Sequence, residues 1–337
     1  MDAFDVPVVL FFFKRENKTV DVVKRIGEIK PRKLYLIQDG PRNPEEERKV
    51  LLCRKNVEDA ISWPCEVIKN YADENKGVYD RIGLGAKWVF SKEETAIFLE
   101  DDNLPETTFF RFCKEMLYKY YKDTRVLWVC GTNYLEKYTP EDGSSYMFTQ
   151  HMLPCGWASW SSKYVKYYDG NLDLLKNNVT LKRIRSTYRN KKMYEYDLER
   201  WFRERRFIET DKALTWDYQM GFTIRVHGLY GVVPTYNQIV NIGADMDSEH
   251  GGTSLDLVMT RRFCGIQSFP MSFPLVHPIS VLPDPEFERK TEQIVIPPRM
   301  ILFKVIRLLK IILRIPLYDS LTETLKFRVN KFFGENI

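Results

Sequence analysis

Apolar runs alternate with helix-spaced apolar positions along the first 130 residues. Val6–Phe13 (VPVVLFFF) is unbroken apolar chain followed by the charged loop Lys14–Asn17, the pattern of a strand buried on both faces. From Thr19 to Ile29 the apolar residues fall at 20, 22, 23, 26 and 29, a helical spacing. Leu34–Ile37 reads as the next strand, closed by the turn Gln38–Asp39–Gly40–Pro41. A charged helix is expected over 44–60, a third strand over Cys65–Ile68, and a helix from Asn75–Lys76–Gly77 to about Phe90. Ala96–Leu99 is a fourth apolar run, and Phe109–Tyr121 is helical in pattern. Val126–Cys130 and Met147–Leu153 add strands; 161–210, dense in charge and aromatic rings, reads as helices flanking the sheet. Such alternation predicts βαβ units, hence an α/β, Rossmann-like fold with a mostly parallel sheet flanked by helices. Strand-end loops in such a sheet open on one edge, which gathers Lys14–Arg15, Gln38–Asp39, Asn75–Gly77 and Glu100–Asp102 around one crevice.

Composition narrows the class without naming a function. The 337 residues are 44% hydrophobic and 29% charged, enough for a large core. The net charge of +5 comes from 51 basic and 46 acidic residues, too small an excess to predict nucleic acid as a partner. Six scattered cysteines without CxxC spacing suit a reducing compartment and give no zinc site. No signal peptide or membrane-spanning run is expected. Internal repeats and low-complexity stretches are not seen.

The candidate chemistry begins where the fourth apolar run stops. Glu100, Asp101 and Asp102 follow Leu99 directly, and three ionised acids belong at a strand end facing solvent or a cation. Hard oxygen ligands there suit Mn²⁺ or Mg²⁺, with a phosphorylated substrate completing the shell. A plain acidic turn has the same sequence, so both readings stand at this point.

Five segments together, FFFKR (11–15), LIQDG (36–40), FLEDDN (98–103), GWASW (156–160) and LTWDYQ (214–219), resemble the GT-A glycosyltransferases. The nearest pattern is the N-acetylglucosaminyltransferase I type and its relatives among bacterial capsular polysaccharide enzymes. The likeness spans roughly residues 6–250. It implies a nucleotide-sugar donor, UDP-linked, and a saccharide acceptor. Carried over by position, it places Arg15, Asp39, Asn75, Arg81, Glu100 and Asp101 with the donor, Asp39 accepting from the uracil imide. Asp102 becomes the metal ligand, His250 joins it, and Asp217 becomes the base of an inverting transfer. Residue-level alternatives remain: a turn aspartate for Asp39, a strand-end charge for Arg15, a helix cap for Asp217, a surface loop for His250. Small residues beside Trp157 and Trp160 suggest close backbone approach and flat surfaces for an acceptor sugar, with Trp216 added from the fifth segment. Tryptophans in α/β proteins are also common in cores.

Residues 1–260 are thus expected to form the catalytic domain, with a donor half to about 130 and an acceptor half beyond it. Seven prolines between 264 and 298 (Pro270, Pro274, Pro278, Pro283, Pro285, Pro297 and Pro298) predict an extended connector over 261–298. In the tail, 299–337, Lys304, Arg307, Lys310 and Arg314 share one side of a helix over Met300–Ile315, among Ile301, Leu302, Val305, Leu308, Leu309, Ile312 and Leu313. A basic amphipathic helix suits a membrane surface, which predicts a peripheral enzyme on the cytoplasmic face of the inner membrane using a lipid-linked acceptor. The same helix could instead pack on the enzyme's own core. Two rival readings accompany this one. A nucleotidyltransferase also carries strand-end acids but has a glycine-rich loop after its first strand, and Phe11–Asn17 contains no glycine. A non-catalytic relative that binds a membrane or partner would need neither Asp102 nor Asp217.

Overall fold

In the computed structural model, which describes residues 4–210, 213–243, 263–296, 305, 308–315 and 325, the opening apolar run forms β1 (Val8–Phe12). Every residue of β1 is buried because it pairs in parallel with β2 (Lys33–Gln38) on one side and β4 (Thr95–Glu100) on the other. Between β1 and β2 runs α1 (Glu16–Ile29), which buries Thr19, Val22, Val23 and Ile26, the face expected from the spacing. It begins three residues before the expected Thr19 and ends at Lys30 (φ 47°), ahead of Pro31, which cannot continue a helix. α2 (Pro44–Asp59) opens with Pro44 in its first turn and Asn43 as its cap, whose side chain accepts from the Glu46 amide at 2.9 Å. β3 (Glu66–Tyr71) pairs in parallel with β2 at the sheet edge, where its residues are only part-buried. A π-helical turn over Tyr79–Leu84 then leads into α3 (Gly85–Phe90).

Beyond β4 come β5 (Asn103–Pro105), α4 (Thr107–Lys119), β6 (Val126–Cys130), β7 (Tyr146–Thr149) and β8 (Trp157–Trp160). A helical layer follows: α5 (Ser161–Tyr167), α6 (Asn178–Thr187), α7 (Lys191–Ile208) and α8 (Asp217–Val226). β9 (Tyr230–Pro234), β10 (Ile239–Asn241) and α9 (Pro285–Val295) complete the described elements. The main sheet has eight strands in the order β3-β2-β1-β4-β8-β6-β9-β7, with β8 and β7 running against the rest. The fold is α/β with a mostly parallel, helix-flanked sheet, as the alternation predicts. β10 pairs antiparallel with β5, so the 237–243 segment returns to the residues just after β4.

The last four residues of GWASW are β8, hydrogen-bonded to both β4 and β6 in the middle of the sheet. One expectation changes: the proline-rich stretch is not a separate connector, because one compact unit runs from Met1 through Ile294. The Phe269 amide donates to the Asn237 carbonyl, the Met271 amide to Thr108 Oγ1, and α9 closes the segment. In the second unit, Val295–Ile337, Val305 and 308–312 are helical, and Leu308, Ile311 and Ile312 are well exposed. Lys304 and Arg307 of the expected basic face lie outside the described residues. No described helix is long and apolar enough to cross a membrane.

Candidate active site

The carboxyl ends of β1, β2, β3 and β4 lie side by side, and the site is built on them. Arg15 is the residue before α1, so its side chain leaves the end of β1 toward the end of β4. Its terminal nitrogen Nη2 bridges both neighbouring acids, donating to Asp101 Oδ1 and, at 2.8 Å, to Asp102 Oδ2. Burial alone would make the guanidinium easier to deprotonate, but the two aspartates outweigh it and raise its pKa. Asp101 also accepts from the Phe13 amide at 3.4 Å, and burial raises its pKa against the opposing pull of Arg15.

Asp102 is held from a second side by residues the motif did not single out. Its Oδ1 accepts from Asn103 Nδ2 at 2.7 Å and Asn241 Nδ2 at 3.0 Å, while the Ile242 amide donates to its carbonyl at 2.8 Å. β10 therefore supplies Asn241 by pairing with β5, a long-range pairing invisible in local pattern. A Cβ at Gly243 would press on Asp102 Oδ2 and Asn241 Oδ1, so a larger residue there would displace this carboxylate.

Glu100 faces the most hostile field of the three acids. Burial first, then Asp102, Asp101 and Asp217, push its pKa well above the usual carboxylate range. Asp217 is therefore within electrostatic reach of the β4 end. It stands at the first position of α8, half-buried, where a carboxylate also complements the helix dipole. The turn before it is fixed by Glu204 of α7, whose Oε1 accepts from the Leu214 and Thr215 amides, each at 2.9 Å. Four carboxyls thus converge with one guanidinium, Arg15, among them. This charge excess suits a divalent cation, and Asp102 retains acceptor capacity on Oδ2. Among the described residues no group of three or more His, Cys, Asp and Glu side chains closes on an ion, so waters and phosphate oxygens would have to complete a shell. His250 lies outside the described residues.

The other residues that the resemblance places with a donor form a second cluster on the same edge. Asp39 receives four hydrogen bonds: Gly40 N and Lys76 N at Oδ1, Asn75 Nδ2 and Gly77 N at Oδ2, all within 3.0 Å. All four lone-pair positions are filled, which leaves none for the uracil imide and corrects the direct contact expected of Asp39. It fastens the 75–77 turn to the end of β2 instead. Asn75 also donates to the Gly40 carbonyl at 3.1 Å. Arg81 donates to the carbonyls of Gln38 at 3.1 Å and Asn70 at 2.7 Å, tying the ends of β2 and β3.

The three tryptophans are also corrected. Trp157, Trp160 and Trp216 are 1%, 0% and 3% exposed. Trp157 is stacked between Phe98 (3.9 Å between ring centroids) and Trp128 (4.1 Å), while Trp160 Nε1 donates to the Leu117 carbonyl at 2.9 Å. Trp216 lies 5.6 Å from Trp157 and 5.9 Å from Trp128. A strand in mid-sheet has both faces covered, so these rings build the core and no face is left for a sugar. The small residue beside them has the role expected: a Cβ at Gly156 would lie 2.6 Å from Ile239.

No family model and no curated protein matches this sequence. Among solved structures, a UDP-glucose pyrophosphorylase complexed with UDP-glucose is similar at TM-score 0.34 and 9% identity, over 69% of this chain and 91% of that one. Mouse xyloside xylosyltransferase 1 is similar at TM-score 0.30 and 10% identity, over 66% and 81%. The 4-diphosphocytidyl-2C-methyl-D-erythritol synthase of Anaerococcus prevotii gives 0.29 and 11%, over 70% and 92%. Likenesses this slight carry no argument about function.

Proposed function

We propose that the protein is a metal-dependent glycosyltransferase of GT-A type, moving a sugar from a UDP donor to a saccharide acceptor with inversion. The observation that carries this reading is the crossing of charges at the end of β4. Arg15 binds Asp101 and Asp102, and Asp217 stands close enough to Glu100 to act on its charge. Asp102, with Asp101 beside it, would hold Mn²⁺ or Mg²⁺, which neutralises a diphosphate leaving group when bound. Arg15 would hold the two aspartates in position through its hydrogen bonds to both. Asp217 takes the proton of the attacking acceptor hydroxyl, and the Glu204-fixed turn holds it in place. Asp39, Asn75 and Arg81 set the wall against which the nucleoside lies. The exposed apolar turn around Leu308–Ile312 and the basic composition of 300–315 support a lipid-linked acceptor at a cytoplasmic membrane surface.

The test is a panel of nucleotide sugars with and without Mn²⁺, scored for nucleoside diphosphate release and product configuration. Release of UDP that depends on metal is expected. Formation of UTP and sugar 1-phosphate when pyrophosphate is added would replace this reading with a nucleotidyltransferase, and retained anomeric configuration would remove Asp217 from the role of inverting base.

A further inference from the structure

Arg200 of α7 has no role in the mechanism above and an unusual setting. Its guanidinium lies 3.9 Å from the ring centre of Tyr218 and 4.8 Å from that of Tyr196, so two aromatic faces fix its plane. Tyr218 directly follows Asp217. Among the described residues no hydrogen bond or ion pair engages the Arg200 side chain, although it is only part-exposed. A half-buried guanidinium with idle donors is costly to keep; Asp197, three residues back on the same helix, accepts from the Tyr188 hydroxyl at 2.6 Å. Arg203, three residues on, stands 5.9 Å from the same Tyr218 ring and brings a second positive charge to that face of α7.

The Tyr218 ring that the guanidinium covers belongs to the residue directly after Asp217, so Arg200 is a near neighbour of the proposed base. An oxyanion held beside the base would belong to the acceptor whose hydroxyl that base deprotonates.

We propose that Arg200, pinned between Tyr196 and Tyr218 with Arg203 beside it, binds an oxyanion of the acceptor and so seats the acceptor hydroxyl at Asp217. The inference rests on the glycosyltransferase reading and adds the substrate class: an acidic acceptor. A planar guanidinium fork suits a carboxylate or a phosphate in two-point contact, and lysine in its place would supply charge without the fork. The oxyanion has two chemical sources, the carboxylate of an acidic sugar or a phosphate attached to a neutral one.

The experiment uses the full chain with Mn²⁺ and the UDP-sugar found active in donor hydrolysis. Methyl glucuronide, glucose 1-phosphate and methyl glucoside serve as acceptor probes. The wild type is expected to use one charged probe at least tenfold better in kcat/KM than the neutral one, and which charged probe wins identifies the source. Arg200→Gln should erase that preference, about tenfold or more, through KM for the charged probe. Donor KM and hydrolysis should stay as in the wild type, and Arg200→Lys should restore only part of the preference. Equal use of charged and neutral probes by the wild type overturns the inference, as does a preference that survives Arg200→Gln. If Arg200→Gln does not fold, Arg200→Lys decides alone: full retention of the preference overturns the two-point contact. Failure of the underlying reading looks different, since no UDP-sugar would then be hydrolysed by any variant.

Discussion

The two sides of the crevice are held by different forces. On the proposed donor side three aspartates are fixed by specific hydrogen bonds: Asp101 and Asp102 by Arg15, Asp102 again by Asn103 and Asn241, Asp39 by four donors from its own turn and the 75–77 turn. On the side formed by α7 and α8, Glu204 fixes one turn and aromatic stacking does most of the rest. The aspartates of the first side have their partners before any ligand arrives. On the second, a guanidinium keeps its donors unspent. A site that must hold a diphosphate gains from preorganised charge, and one that must recognise an acceptor gains from donors still available.

The sharpest way to break this contrast is to remove one acid from each side. Asp217→Asn should lower kcat by about 10²–10⁴-fold, the range for a lost general base, with donor affinity unchanged. Asp102→Asn should instead abolish metal-stimulated donor binding, read by titrating UDP with and without Mn²⁺. The same phenotype in both variants would mean that the two acids act as one group and that the division is false.

The next effect tests the wall between the sides. Trp157→Ala removes a ring stacked on Phe98 and Trp128 and should cost about 3–5 kcal/mol of stability by denaturant melt. A variant of native stability that lost only acceptor binding would restore the tryptophan to the acceptor site.

How much of this was legible depended on how local each feature is. β1, β2 and β4 announce themselves because parallel strands buried on both faces are continuous apolar runs, and the acids that end β4 follow in the same stretch of chain. Asp217 could be singled out as a candidate because a short motif surrounds it. Asn241 was not, since its pairing with Asp102 depends on β10 meeting β5 across 139 residues. Trp157 misled for a related reason: whether a ring is core or surface depends on which strands flank it, and β8 is inserted between β4 and β6 out of chain order. Lys163 shows the same limit with opposite charge. It sits in a run that reads as solvated, yet its ammonium donates to the carbonyls of Tyr120, Asp123 and Val126 within 2.8 Å. Arg200 carried no signal at all, because an arginine in a charged helix is ordinary until its neighbours are known.

Acid should loosen the donor side first. Arg42 holds Glu46 down to about 2 by direct hydrogen bonding, against opposing burial and with help from Lys14. Because the folded value lies below the ordinary 4.5, the stability it contributes is present above pH 4.5 and is lost as pH falls toward 2. The full shift would be worth about 3 kcal/mol, but Arg42 is 44% exposed and solvent screens the pair, so about 1–2 is expected. Glu46→Gln should flatten the acid limb of the stability profile by that amount. An unchanged limb would show that the 42–46 turn does not anchor the donor side.

The smallest effect has the opposite sign, and it lies where the two sides meet. Burial and the crowding of Asp102, Asp101 and Asp217 raise the Glu100 pKa above 4.5. A group raised on folding stabilises the protein fully below its unfolded value and loses that contribution as pH rises through the folded value. Above pH 4.5 the folded protein without metal therefore bears a cost at Glu100 that a neutral side chain would not. Glu100→Gln should raise the melting temperature at pH 7 in chelator, by about 1 kcal/mol on the scale of single stabilising substitutions. The gain should shrink to nothing as the pH is brought below 4.5, where the wild-type carboxyl is protonated as well. Adding Mn²⁺ should reverse the order, because the cation compensates the charge that glutamine lacks. A Glu100→Gln protein less stable than wild type at pH 7 in chelator would mean that Glu100 is already paired, and the acids of the two sides would then not be pressing on each other.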